Sequence, residues 1–166
     1  MADVFNGIQF VIMQPFNIVL IEPEIPPNTG NIARLCAATG TSLHLVGKLG
    51  FSTDDRYLKR AGLDYWEFVD IRYWRDLDEL RATAPSGRFF YLSTKVDRTY
   101  LDVSFVPGDF IVFGKETKGL PEELLQANPD TSITIPMPAG TVRSLNLSTS
   151  AGIVLYEALR QVGALR

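Results

Sequence analysis

Short apolar runs rich in β-branched residues recur along the chain: "FNIVLIEP", "SLHLVG", "RFFYLSTK", "DFIVFG" and "TSITIP", each closed by glycine, proline or polar residues. Runs of this length predict buried strands. Between them lie helix-like segments, Asn31–Thr39, Asp54–Ala61, Tyr73–Thr83, Pro121–Asn128 and Ser150–Val162. The alternation predicts an α/β domain with a mostly parallel sheet. No internal repeat or low-complexity linker interrupts it.

Two helices carry further information. Pro121 followed by Glu122 and Glu123 puts proline and negative charge into a first helical turn, where a missing N–H is harmless and the helix dipole favours carboxylates. In the last helix Ala151, Val154, Leu155, Ala158, Leu159 and Val162 share one face, and Ile153 and Tyr156 widen it. A face that broad fits a helix central in the fold or one that also meets a second subunit.

A length of 166 residues at 46% hydrophobic composition fits one core better than two. The net charge of −3, from 16 basic and 19 acidic residues, does not advertise nucleic acid, so an RNA partner must be met by a local basic patch. The one cysteine, Cys36, excludes an internal disulfide framework, and the one histidine, His44, argues against a multi-ligand metal site. No run approaches the roughly 18 apolar residues of a membrane helix. The first 15 residues lack a basic start and a long apolar segment, so they predict an extension rather than a secretory signal. A soluble, cytoplasmic protein is expected.

In open α/β sheets, ligands sit outside the carboxyl ends of the strands. The polar loops there are Glu22–Cys36, Leu92–Lys95, Phe113–Pro121 and the stretch after Ile135. The third resembles half of a phosphate loop through Gly114 and Gly119, but Leu120-Pro121 stands where lysine and hydroxyl are needed. No G-x-G-x-x-G follows a strand either. Two readings of the glycines stay open, an ordinary tight turn or a close backbone approach to a small ligand. In the first loop, Asn28 or Asn31 is a candidate helix cap. In "LHLV", His44 predicts a structural role, and Cys36 a small core residue.

The segment Arg143–Ser148 alternates polar and apolar residues where a plain cap needs one polar group. Taken in order, "IEPEIPPNTGNIARLCAATG", "RAGLDYW", "VFGKETKGLP" and "IPMPAGTVRSLNLSTSAGIVLYEALRQ" closely resemble the SPOUT superfamily of RNA 2'-O-ribose methyltransferases. The resemblance runs from residue 16 to residue 163 and is nearest to the small tRNA (cytidine(34)-2'-O)-methyltransferases, which act on the wobble nucleotide. It implies a Rossmann-like sheet whose C-terminal segment forms a deep trefoil knot, an exception to the rule against threading. It implies S-adenosylmethionine as cofactor, tRNA and no DNA as nucleic-acid partner, and a homodimer. By the same matching Leu92, Gly114, Ile135 and Ser144 correspond to cofactor contacts, with Gly119 and Leu145 as neighbours. Arg34 corresponds to the arginine that assists the reacting hydroxyl, and Glu116 to a family glutamate that otherwise serves as a turn or cap partner.

Methylating a ribose 2'-hydroxyl requires a weak oxygen nucleophile to lose its proton. A fixed guanidinium stabilises the developing alkoxide and, being always protonated, does not act as a general base. For RNA, Arg56, Lys59 and Arg60 at i, i+3 and i+4 form a basic stripe that a solvated face would equally show, and Arg143 adds a cation beside the last loop. Tyr65 is a candidate to stack a base, whereas Trp66 fits the core better. Rival readings at this stage are a non-catalytic RNA-binding domain of the same fold and a ribose methyltransferase acting on another RNA.

Overall fold

The computed structural model describes residues 16–52 and 63–165. Six strands, β1 (Asn17–Ile21), β2 (Ser42–Val46), β3 (Ile71–Trp74), β4 (Phe89–Leu92), β5 (Phe110–Phe113) and β6 (Ser132–Ile133), form one sheet in the order β3-β2-β1-β5-β4-β6. Every pairing between neighbours is parallel. Among the described residues four α-helices cover it: α1 (Pro26–Thr39), α2 (Leu77–Thr83), α3 (Glu122–Ala127) and α4 (Leu147–Gln161).

Strict alternation along the central strands sends side chains to two cores. From β1, Ile18 and Leu20 face α1 and α4, packing with Ile32, Cys36, Val154 and Leu155. Val19 faces the other side, with Leu80 of α2 and Leu125 of α3. The broad apolar face of the last helix thus buries Ala151, Val154, Leu155, Ala158 and Leu159, while Tyr156 remains exposed.

Three predicted boundaries are corrected. α1 starts at Pro26 rather than Asn31, its N-cap is Ile25, and neither Asn28 nor Asn31 caps it. Pro26 and Pro27 lack the N–H groups that a cap would satisfy, which lets the helix begin there without one. Tyr73 and Trp74 belong to β3, not to a helix. The helix begins after Asp76, whose carboxylate accepts from the Glu79 N–H at 2.8 Å. Aromatic side chains at a sheet edge outweighed the helical spacing that links them to Leu77 and Leu80. The last helix starts at Leu147, capped by Asn146. The expected helix Asp54–Ala61 lies outside the described residues.

Candidate functional site

Strand order reverses between β1 and β5, so the loops leaving these strands diverge and open a crevice at their carboxyl ends. The two loops are tied together by reciprocal polar contacts. Thr117 donates its backbone N–H to Glu24 Oε2 at 3.0 Å, and its hydroxyl donates to the same carboxylate. In return Glu116 accepts from the Glu24 N–H at 2.8 Å, the Ile25 N–H at 3.1 Å and Asn28 Nδ2 at 3.2 Å. Lys115 pairs with Glu22. Glu22 is the one non-glycine described residue with a positive φ, 46°. Glu116 therefore takes the cap-partner role, setting a carboxylate against the positive end of α1.

A third loop joins through Asn28, whose Oδ1 accepts from Asn146 Nδ2 at 2.9 Å. Asn146 Oδ1 in turn accepts from the Ser148 and Thr149 N–H groups at 2.9 and 3.3 Å, closing the first turn of α4. A line of amides and one carboxylate thus connects the loops after β1, β5 and β6.

These loops and the one after β4 enclose a cavity of about 550 Å³. All six residues matched to cofactor contacts, Leu92, Gly114, Gly119, Ile135, Ser144 and Leu145, line it, and so does Arg143. Phe113 and Leu147 add apolar wall; Ser93, Thr94 and Thr134 add hydroxyls. The volume and the mixture of apolar walls with a few polar groups suit a nucleoside-sized ligand. Gly119 has φ 67° and open space where a side chain would stand. Gly114 differs: a Cβ there would meet the Gly119 carbonyl carbon at 2.2 Å and the Leu120 nitrogen at 2.4 Å. Its glycine is demanded by the loop's own backbone, which crosses over it.

The mouth is basic. Lys95, Lys115, Lys118 and Arg143 all line the cavity. Lys95 pairs with Glu122 at 3.1 Å and Lys115 with Glu22, whereas Lys118 and Arg143 make no ion pair among the described residues. Lys118 was not singled out from the sequence; its place two residues after Glu116, in a loop already suspected, was the available signal.

Arg34 stands elsewhere. It is exposed on α1, does not line the cavity, and holds its guanidinium 5.2 Å from the centre of the Tyr65 ring. Arg56, Lys59 and Arg60 lie outside the described residues. Trp66 packs against the core. His44 is structural: Nδ1 accepts from the Trp74 indole at 3.0 Å, so Nε2 carries the proton and donates to Asn17 Oδ1 at 3.0 Å. Burial lowers its pKa to about 4. Cys36 is buried and its thiol is pushed up to about 12 by burial, which makes it inert. No group of metal-ligating side chains occurs among the described residues.

Residues 15–156 match the SpoU rRNA Methylase family, a span that covers most of the chain and includes every residue lining the cavity. The chain belongs to the SpoU methylase family. Among its relatives, the tRNA (cytidine(34)-2'-O)-methyltransferase of Methylovorus glucosotrophus is 52% identical over 147 residues, covering 88% of this chain and 95% of its own length. A solved protein described in terms of the 2-OH methylation of C/U34 on tRNA superposes with a TM-score of 0.84 at 43% identity, covering 90% of this chain and 97% of that one. The SpoU methyltransferase AviRb from Streptomyces viridochromogenes, solved in complex with AdoMet, shares the fold at a TM-score of 0.77 and 24% identity, covering 91% of this chain and 62% of that one.

Proposed function

We propose that this SpoU-family chain transfers a methyl group from S-adenosylmethionine to the ribose 2'-hydroxyl of nucleotide 34, cytidine or modified uridine, in tRNA. One observation carries the reading. The positions matched to cofactor contacts, scattered from Leu92 to Leu145, line a single cavity at the strand ends of a chain about half identical to a tRNA (cytidine(34)-2'-O)-methyltransferase. Leu92, Phe113, Ile135 and Leu145 offer apolar surface to an adenine, Ser93, Thr94 and Ser144 offer hydroxyls to its ribose, and Lys118 and Arg143 offer charge to a carboxylate or phosphate.

The cofactor supplies an electrophilic methyl group on a sulfonium. The chain's task is to hold the ribose oxygen in line with it and to favour loss of the hydroxyl proton. Arg34 is proposed to stabilise the developing alkoxide through its planar guanidinium, and another base takes the proton because arginine stays charged. Arg143, with the Arg56-Lys59-Arg60 stripe, is proposed to meet the RNA backbone.

The reading includes a homodimer. Arg34 does not line the cavity of its own chain, and α4 leaves Tyr156 exposed with open space beside Gly152 one turn away. Both features favour a site completed by a second copy. It also includes a trefoil knot, formed as the segment between β6 and α4 passes the loops after β4 and β5. Residues 16–163 are taken as the methyltransferase domain and 1–15 as an extension. No described helix is long and apolar enough to cross a membrane; the reading includes a cytoplasmic location, which a tRNA substrate supports.

Incubating the protein with methyl-labelled S-adenosylmethionine and total tRNA, then mapping the modified nucleotide, tests the reading. Label on the 2'-oxygen of nucleotide 34 is expected. Absence of transfer would leave a non-catalytic RNA-binding domain, and label confined to ribosomal RNA would reassign the substrate.

A further inference from the structure

A short 3₁₀ turn, Leu63–Phe68, packs on α1 ahead of β3. In a 3₁₀ turn, side chains three apart eclipse one another, so Tyr65 and Phe68 lie on one edge while Trp66 turns into the core. Tyr65 is partly exposed and carries the Arg34 guanidinium over its ring at 5.2 Å. Phe68 is 75% exposed, the highest value among the large apolar side chains described. Tyr73, 55% exposed, alternates with Trp74 on β3 and shares the sheet face of Ile71, which packs against the same core as Trp66 of the turn. A ring as exposed as Phe68 contributes little to the core, and its place in a strip that begins at Arg34 asks for an occupant.

We propose that Tyr65 and Phe68 form a stacking platform for the unpaired bases flanking the methylated nucleotide. The proposal rests on the tRNA reading above. Bases in single-stranded loops offer flat faces, aromatic side chains and guanidinium planes stack on them, and the interaction tolerates any base. The strip has both components, and its cation is the residue proposed to meet the reacting ribose. Bases one step away from that ribose would therefore arrive at the adjoining rings. Tyr65 is already held in place by Arg34, so little ordering entropy remains to be lost there on binding.

The test uses the full chain and an anticodon stem-loop RNA, intact or with an abasic site at nucleotide 33 or 35. Phe68→Leu keeps an apolar side chain but removes the ring, and Phe68→Trp restores a larger one. Phe68→Leu is expected to weaken binding of the intact hairpin about tenfold. Phe68→Trp should restore it, and the loss should vanish on one of the two abasic hairpins. Cofactor affinity and the light-scattering mass should not change. Equal affinity of wild type and Phe68→Leu for the intact hairpin, or an equal loss on both abasic hairpins, would overturn the platform. A fall in mass would assign Phe68 to a contact between copies of the chain instead, which also overturns it. Failure of the wild type to methylate the hairpin would defeat the tRNA reading itself, whereas normal methylation with an unaffected Phe68→Leu variant defeats stacking alone.

Discussion

Asn146 donates its amide to Asn28 Oδ1 at 2.9 Å across a sequence separation of 118 residues, tying the cap of α4 to the first turn of α1. The direction of that bond is set from its far end. Glu116 is an obligate acceptor, so Asn28 must present Nδ2 to it and Oδ1 to Asn146.

Asn146→Asp keeps the oxygen that caps α4 but sets a carboxylate against Asn28 Oδ1, and flipping Asn28 would only move the clash to Glu116. The variant is expected to bind S-adenosylmethionine about tenfold more weakly, a cost of about 1.4 kcal/mol. Asn146→Ala also loses the cap, costing about 1–2 kcal/mol of stability. Calorimetric titration and thermal unfolding separate the two effects, and unchanged cofactor affinity in Asn146→Asp would sever the relay from the site.

The two loop glycines should respond differently. At Gly114 even alanine drives Cβ into the Gly119 backbone, so Gly114→Val should lose stability and cofactor binding together rather than binding alone. Gly119→Ala meets no atom and bears only the strain of its left-handed backbone, about 1–2 kcal/mol. It should remain folded, and its cofactor affinity then reports directly on contact at that wall. Denaturant unfolding beside calorimetry reads both quantities.

Arg34→Ala should leave cofactor affinity within about twofold, since Arg34 lines no part of the cavity, while turnover falls by about 10²–10³. Single-turnover methylation with saturating cofactor measures the split. Near-normal turnover of Arg34→Lys would remove the planar, two-pronged role.

Changing Tyr156 to Asp places a charge on the exposed face of α4 and, on the proposed two-chain reading, is expected to give monomers that no longer methylate tRNA. Light scattering and the transfer assay check this together. A folded monomer with normal activity would refute the two-chain site.

His44 predicts an acid limit to stability. Its folded pKa is lowered to about 4 from the ordinary value of 6.5, because the buried ring is held neutral between Trp74 and Asn17. The unfolded chain therefore binds the extra proton first as pH falls. Stability is fully present above pH 6.5 and declines towards pH 4, by on the order of 3 kcal/mol. Urea unfolding at several pH values should show this slope, and His44→Gln should flatten it.

Hydrophobic runs and their breaks determined the α/β class and five of the strands, because a buried parallel strand needs an apolar stretch whatever surrounds it. Ordered motifs picked out the loops that wall the cavity. Local pattern did not place Ile71–Trp74 in an edge strand, since half-exposed aromatic residues next to a helix start fit either state and the pairing with β2 decides. Nor did it show that Glu116, rather than an asparagine within α1, meets the start of that helix. That contact joins residues about ninety positions apart and exists only because β1 and β5 are neighbours. The cavity and its basic mouth are likewise products of strand order. Residue type and spacing along the chain record what each loop contains, and only the closing of the sheet brings those loops to one place.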